Sequence, residues 1–348
     1  MDTEFESNRT GTRLCLLQLT AKSTVYLVDP LALKRVDPLA TLLSQPELEW
    51  VLHAGLQDVE LITRHFAVNA PLKLFDTQIA WGLLSPEASV SLAYLTYQFL
   101  QIRSEKAHQA DDWVRRPLQA SQLRYAASDV EHLAYIQDQL LEKARVLGRT
   151  DFIYQASHET LLPPRVPRTP ITLKSFRNAW QLSPSKQAAL KFIIEWYNRL
   201  PSKAQRHVPD SKVLLSVASA APQNLSALGR IKGVSPAFIE QHGRVLVEGM
   251  SKAIEEAHGD DFELLDPTPY ATFEEIKLEA WLATWRAHLA VQLKFAPELV
   301  LPSRIMRDIH INLETKGQAA LHEALVGYRK ALLIEESLTF CAQHPPPV

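Results

Sequence analysis

Cysteine is nearly absent: Cys15 and Cys341 stand at opposite ends of 348 residues, and neither has a CxxC partner. That composition encodes neither a disulfide framework nor a thiolate zinc site, so a metal, if bound, needs oxygen ligands. Also missing is any run near the ~18 uncharged apolar residues of a membrane span. No basic start followed by an apolar stretch suggests a signal peptide, so a cytoplasmic location is expected. Net charge is scarce too, at −2, with 46% hydrophobic and 22% charged residues, the composition of an ordinary globular chain. Its length calls for two or three domains rather than one core.

Charge is unevenly spread, which the small total conceals. Residues 1–150 carry 15 Lys/Arg against 18 Asp/Glu, and residues 207–348 carry 13 against 18. Between them, residues 163–206 hold Arg165, Arg168, Lys174, Arg177, Lys186, Lys191, Arg199, Lys203 and Arg206 against a single acid, Glu195. A basic stripe in an acidic chain is a candidate phosphate-binding surface, with a solvated linker and helix face as the competing reading.

The first 150 residues alternate strand-like and helix-like segments. LCLLQLT (14–20) and STVYLVDP (23–30) read as a hairpin, while EWVLHAG (49–55) and LKLF (72–75) are further short strands. LQDVELITRHF, DTQIAWGLL and SVSLAYLTYQFL have helical spacing, and one helix is expected over Ser121–Leu147 with Leu133, Ile136, Leu140 and Ala144 on a face. Strands alternating with helices indicate an α/β domain with a mixed sheet. LLPPRVPRTP (161–170) holds four prolines, which suit an extended linker, and strand signals nearly vanish beyond it. HGDDFELLDPTP (258–269) then splits the remainder into two small all-α pieces.

Acidic residues supply the candidate chemistry. In a strand, alternate side chains share a face, so Asp2 and Glu4 point one way and Thr3 the other. Asp58 opens the helix after the 49–55 strand, and Tyr125 and Asp129 stand one helical turn apart. Four carboxylates without His or Cys suit two hard divalent ions, Mg²⁺ or Mn²⁺, in phosphodiester hydrolysis. A phenol of intrinsic pKa near 10 orients water more readily than it acts as a base.

The ordered set DTEF, HAGLQD, LFDTQIA, DDWVRRPL and YAASD resembles the DEDD 3′-to-5′ exonucleases with tyrosine in the third motif, and among them the bacterial ribonuclease D family. Asp2 and Glu4 match the first motif, Asp58 the second, and Tyr125 with Asp129 the third. The resemblance implies a ribonuclease-H-like exonuclease domain over 1–160, a linker at 161–174, and 3′-to-5′ hydrolysis of RNA releasing nucleoside monophosphates. It also implies tRNA precursors with 3′ extensions as the substrate class. Residues 175–258 look like a helicase-and-RNase-D C-terminal (HRDC) domain, and 267–345 like a divergent second copy. Lys106, Arg116, Arg165, Arg168, Lys174 and Arg177 are the basic residues assigned to RNA. Ala107 departs from the Ser that most members carry after the lysine.

The larger departure is the start, where relatives carry several residues before DTE and this chain has only Met1. A first strand lacking most of its ladder is therefore expected, with Asp2 and Glu4 loosely held. A start codon further upstream would explain it; a non-catalytic RNA-binding protein is the alternative, and a DNA 3′ exonuclease a third reading. Asp76 reads as a helix N-cap rather than a ligand. His53 reads as packing near the site, and Trp180 and Trp196 as core.

Overall fold

The computed structural model describes residues 1–348 apart from 9–10, 23, 104–110, 163–169, 206–207, 258–262, 266, 268–271, 318 and 348. Packing divides the chain into two compact units, one of residues 1–165 with 273–348 and the other of 166–272.

In the first unit, β1 (Asp2–Asn8), β2 (Gly11–Ala21) and β3 (Thr24–Val28) form an antiparallel meander, and β4 (Glu49–Leu52) pairs in parallel with β5 (Lys73–Asp76). The Met1 nitrogen donates to the Val51 carbonyl at 2.7 Å, so the antiparallel and parallel parts lie side by side where β1 begins, next to β4. All seven residues of β1 have partners on β2, from Asp2 opposite Gln18 to Asn8 opposite Gly11. The expected loss of most of the ladder is thus not found on this edge.

A bulge at Cys15 lets both faces of β2 be apolar. Phe5 pairs with Leu14 but Glu4 with Leu16, so Cys15 is the extra residue, and Leu14 and Leu17 fall on one face although three apart. That face packs with Trp50, Leu52 and Leu74 against Val59, Ile62 and Phe66 of α2 (Leu56–Phe66), which follows α1 (Asp37–Leu43). The other face, with Leu16, is covered by Ala126 of α5 (Ala120–Glu131) and by Trp113.

The helix expected over Ser121–Leu147 breaks at His132 into α5 and α6 (Leu133–Val146). Its halves serve different cores: Ala126 faces the sheet, whereas Ile136, Leu140 and Ala144 join α3 (Thr77–Gly82) and α4 (Leu92–Leu100). One further helix, α7 (Thr150–Leu161), lies in the stretch read as approaching the linker.

The C-terminal helices Phe273–Leu293, Ser303–Lys316 and Tyr328–Gln343 do not form a separate core. Leu282, Trp285, Leu289, Ile309 and Phe340 pack into the cluster that holds Phe75, Leu83, Leu95, Ile136 and Ile153. Arg329, 2% exposed, donates to Glu159 of α7 and to the carbonyls of Leu299 and Val300, and Arg304 also pairs with Glu159. A side chain at Gly82 would run into Leu299, which lets the Ala296 amide reach the Gly82 carbonyl at 2.7 Å.

The second unit is all-α. α8 (Pro184–Arg199) packs with helices Ser211–Ala220 and Arg244–Glu255 around Leu190, Ile193, Trp196, Val217, Leu246 and Met250. Trp196 is core, as expected, but Trp180 is 41% exposed on a single 3-10 turn, Ala179–Gln181. A turn that short buries only one side, and Ala179 occupies it. Among the described residues, no helix is long and apolar enough to cross a membrane.

Candidate active site

Strand alternation and the helical i, i+4 spacing bring three acids together. Asp2 and Glu4 leave β1 toward α5, and one carboxylate oxygen each of Asp2, Glu4 and Asp129 lies within 4.8 Å of the others. The Tyr125 phenol donates to the Asp129 carboxylate one turn along the helix. Trp113, buried to 2% exposure, lies against Tyr125 with ring centres 6.3 Å apart.

Asp58 is outside this trio. It stands in the first turn of α2, nearly buried, and accepts a hydrogen bond from the Thr3 hydroxyl. Thr3 points to the face opposite Asp2, so the polar centre of DTE serves the second-motif acid, a role that its alternation placed but did not name. Asp58 and Asp129 both bear electrostatically on Asp2, as they do on Glu4.

Burial and mutual repulsion hold these acids well above ordinary carboxylate values. Glu4 is pushed up to about 9, by burial first and then by Asp2, Asp129 and Asp58. Asp129 rises to about 6 through burial, against the opposing Tyr125 hydrogen bond. Asp2 moves in the same direction, driven by burial and then by Asp58 and Asp129. Tyr125 also moves up, which keeps the phenol protonated. An all-oxygen cluster whose charges oppose one another fits a hard divalent cation.

Neighbouring acids and bases have other duties. Asp76 caps α3 through the amides of Gln78 and Ile79, and also accepts from Ala54 (3.1 Å) and Gly55 (2.9 Å) at the start of α2. His53 donates from Nε2 to the Val90 carbonyl at 3.0 Å and meets the Thr77 hydroxyl with Nδ1 at 2.9 Å. Neither joins the acidic trio.

Arg116, expected on the RNA backbone, is committed within the fold. Its guanidinium grips Asp29 at 2.6 and 2.8 Å and donates to the carbonyls of Cys15 (2.9 Å) and Trp113 (2.7 Å). The DDWVRRPL segment is thereby strapped over the sheet, with Trp113 seated beneath Tyr125. Lys106, Arg165 and Arg168 lie outside the described residues. Lys174 and Arg177 are exposed on the second unit, together with Lys186. Lys191 pairs with Glu263 at 3.2 Å and Arg199 with Glu195 at 2.8 Å.

Comparison with known proteins agrees with this geometry. A 3′-5′ exonuclease family model matches residues 1–145. The fold and acidic cluster define a metal-dependent 3′-to-5′ nuclease. The chain is 31% identical to the ribonuclease D of Cronobacter turicensis, over 96% of its own length and 92% of that protein. It is 36% identical to the ribonuclease D of Gluconacetobacter diazotrophicus, over 73% of its length and 66% of the relative. The crystal structure of Escherichia coli RNase D, described as an exoribonuclease involved in structured RNA processing, superposes with a TM-score of 0.69. That match covers 99% of this chain and 92% of the other at 26% identity. The chain belongs to the ribonuclease D family and is a 3′-to-5′ exoribonuclease.

Proposed function

We propose that Asp2, Glu4, Asp58 and Asp129 hold two divalent ions, Mg²⁺ or Mn²⁺, and that Tyr125 orients the attacking water at the 3′-terminal phosphodiester. The observation that carries this reading is the convergence of Asp2, Glu4 and Asp129 around one small volume, with Tyr125 bonded to its edge. Asp2 would be the shared ligand, grouped with Glu4 and Asp129 and coupled electrostatically to Asp58. Divalent ions held by these residues would supply Lewis acidity to the attacking water and charge neutralisation at the leaving oxygen. The phenol donates to Asp129 and leaves its oxygen lone pairs to accept from water, and its raised pKa makes it a positioner instead of a base. Nucleoside 5′-monophosphates are the products.

The substrate proposed is structured RNA with a single-stranded 3′ end, of the tRNA-precursor class. Residues 175–258 act as an HRDC module holding the body of the RNA, and 267–345 is a divergent copy absorbed into the nuclease core; the exonuclease domain is 1–160 with a linker at 161–174. Lys186 lines a groove of about 520 Å³ with Asn178, Gln181, Ser216 and Ser219. Lys174, Arg177 and Trp180 are exposed on the segment that leads into it. Cations with an exposed aromatic suit phosphate and a stacked base. The test is digestion of a 5′-labelled RNA bearing a 3′ extension in Mg²⁺. Asp129→Asn should lower mononucleotide release at least about 100-fold while binding in EDTA persists. Full activity in that variant would remove the assignment.

A further inference from the structure

Gln18 lies mid-strand in β2, wholly buried, yet neither its carboxamide nitrogen nor its oxygen has a hydrogen-bond partner among the described residues. Buried amides are rarely left so, and its strand neighbours in LCLLQLT are leucines that would fill the space without polar cost.

Its surroundings define what it can reach. Gln18 is directly opposite Asp2 in the β1–β2 register, so the two side chains stand on one face with Cβ atoms about 5 Å apart. Two residues along that face, Thr20 donates its hydroxyl to the Val130 carbonyl of α5 at 3.0 Å. Two residues the other way, Leu16 packs with Ala126 of the same helix. Gln18 is therefore roofed by α5, beside Asp2 and beneath the turn that carries Asp129.

We propose that Gln18 is a positioning residue for the cation site: once cations draw Asp2 into its ligating orientation, the Gln18 carboxamide N–H donates to the Asp2 carboxylate and holds it there. This rests on the reading of Asp2 as a ligand shared between them. A neutral donor suits the place. Lysine or arginine there would neutralise the cluster and repel cations, and another carboxylate would add to the repulsion; an amide orients Asp2 without altering the site's charge. The unpartnered amide of the fold is the complement of Asp2 in its ligating orientation.

Gln18→Leu and Gln18→Met in the full chain test the idea, with Mn²⁺ affinity measured by calorimetry and the melting temperature measured in EDTA. The expected result is a loss of Mn²⁺ affinity of about 10–100-fold with the metal-free melting temperature unchanged or raised. Unchanged Mn²⁺ affinity in either variant overturns the proposal. A lowered metal-free melting temperature in both overturns it too, because the amide would then be bonded without the cation. Asp2→Asn in the same titration separates the two levels: intact tight binding there sinks the reading of Asp2 as a ligand. Lost binding in Asp2→Asn with unchanged affinity in Gln18→Leu sinks only the role of Gln18.

Discussion

The Thr3 hydroxyl donates to the Asp58 carboxylate on the side of β1 opposite Asp2 and Glu4. One short strand thus controls acids on both of its faces. Thr3→Val keeps the shape and deletes the hydroxyl donor, leaving the nearly buried Asp58 carboxylate with its backbone donors alone, and should destabilise the protein by about 1–3 kcal/mol. It should also weaken Mg²⁺-dependent turnover more than RNA binding. Melting curves and single-turnover rates check both parts, and an unchanged rate would detach Thr3 from the site.

The metal-free protein should lose stability as pH rises. The folded-state pKa of Asp129 is raised from 3.8 to about 6 and that of Glu4 from 4.5 to about 9. The folded chain therefore holds these protons more tightly than the unfolded chain. The stabilisation is complete below about pH 4 and is lost as pH climbs through 6 and then 9. Melting temperature in EDTA should fall between pH 5 and 9 beyond the trend of an Asp129→Asn, Glu4→Gln double variant. Saturating Mg²⁺ should flatten the curve and release protons on binding near neutral pH. Identical slopes with and without these acids would contradict the shifts.

Arg116 and the exposed cations of the second unit should behave as opposites. Arg116→Ala removes the grip on Asp29 and on the carbonyls of Cys15 and of residues 113–115, at a cost of about 1–3 kcal/mol of stability, and should leave the salt dependence of RNA binding alone. Lys174, Arg177 and Lys186 changed together to alanine should leave stability nearly intact. They should reduce the slope of log affinity against log salt by about 0.7 for each RNA phosphate that is no longer neutralised. Filter binding across a salt series distinguishes the two, and an unaltered slope in the triple variant would remove this surface from the RNA path.

Two tryptophans of the second unit make a matched pair. Trp196→Ala empties a core position and should cost about 3–5 kcal/mol. Trp180→Ala, on the exposed turn, should scarcely alter melting and should weaken single-stranded RNA binding by about 1–3 kcal/mol. Equal affinity in Trp180→Ala would return that residue to the role of surface filler.

Local chemistry is legible in the sequence, and partnership is not. Alternation puts Asp2 and Glu4 on one face, i, i+4 spacing puts Tyr125 beside Asp129, and the cap position of Asp76 follows from a strand handing over to a helix. Periodicity says that a helix has an apolar face but not whose core it enters. The helices after Phe273 consequently read as a domain of their own, although their leucines pack on α3, α6 and α7. The same limit hides the break at His132, where one periodic run serves two cores. Arg116 is indistinguishable from a surface cation until the fold brings Asp29 to it from 87 residues away. Gln18 gives no signal, because one amide in a leucine-rich strand reads as a solvent-facing position.

The shared core has a consequence for synthesis. Glu159 in α7 meets Arg304 and Arg329, and the cluster around Phe75 and Ile136 is closed by Phe340. A nascent chain halted after the second unit would present the apolar flank of α3, α6 and α7 to water, however complete its catalytic motifs. Phe340 of the helix Tyr328–Gln343 closes that core, so the second unit and this helix must leave the ribosome before the nuclease core can be completed.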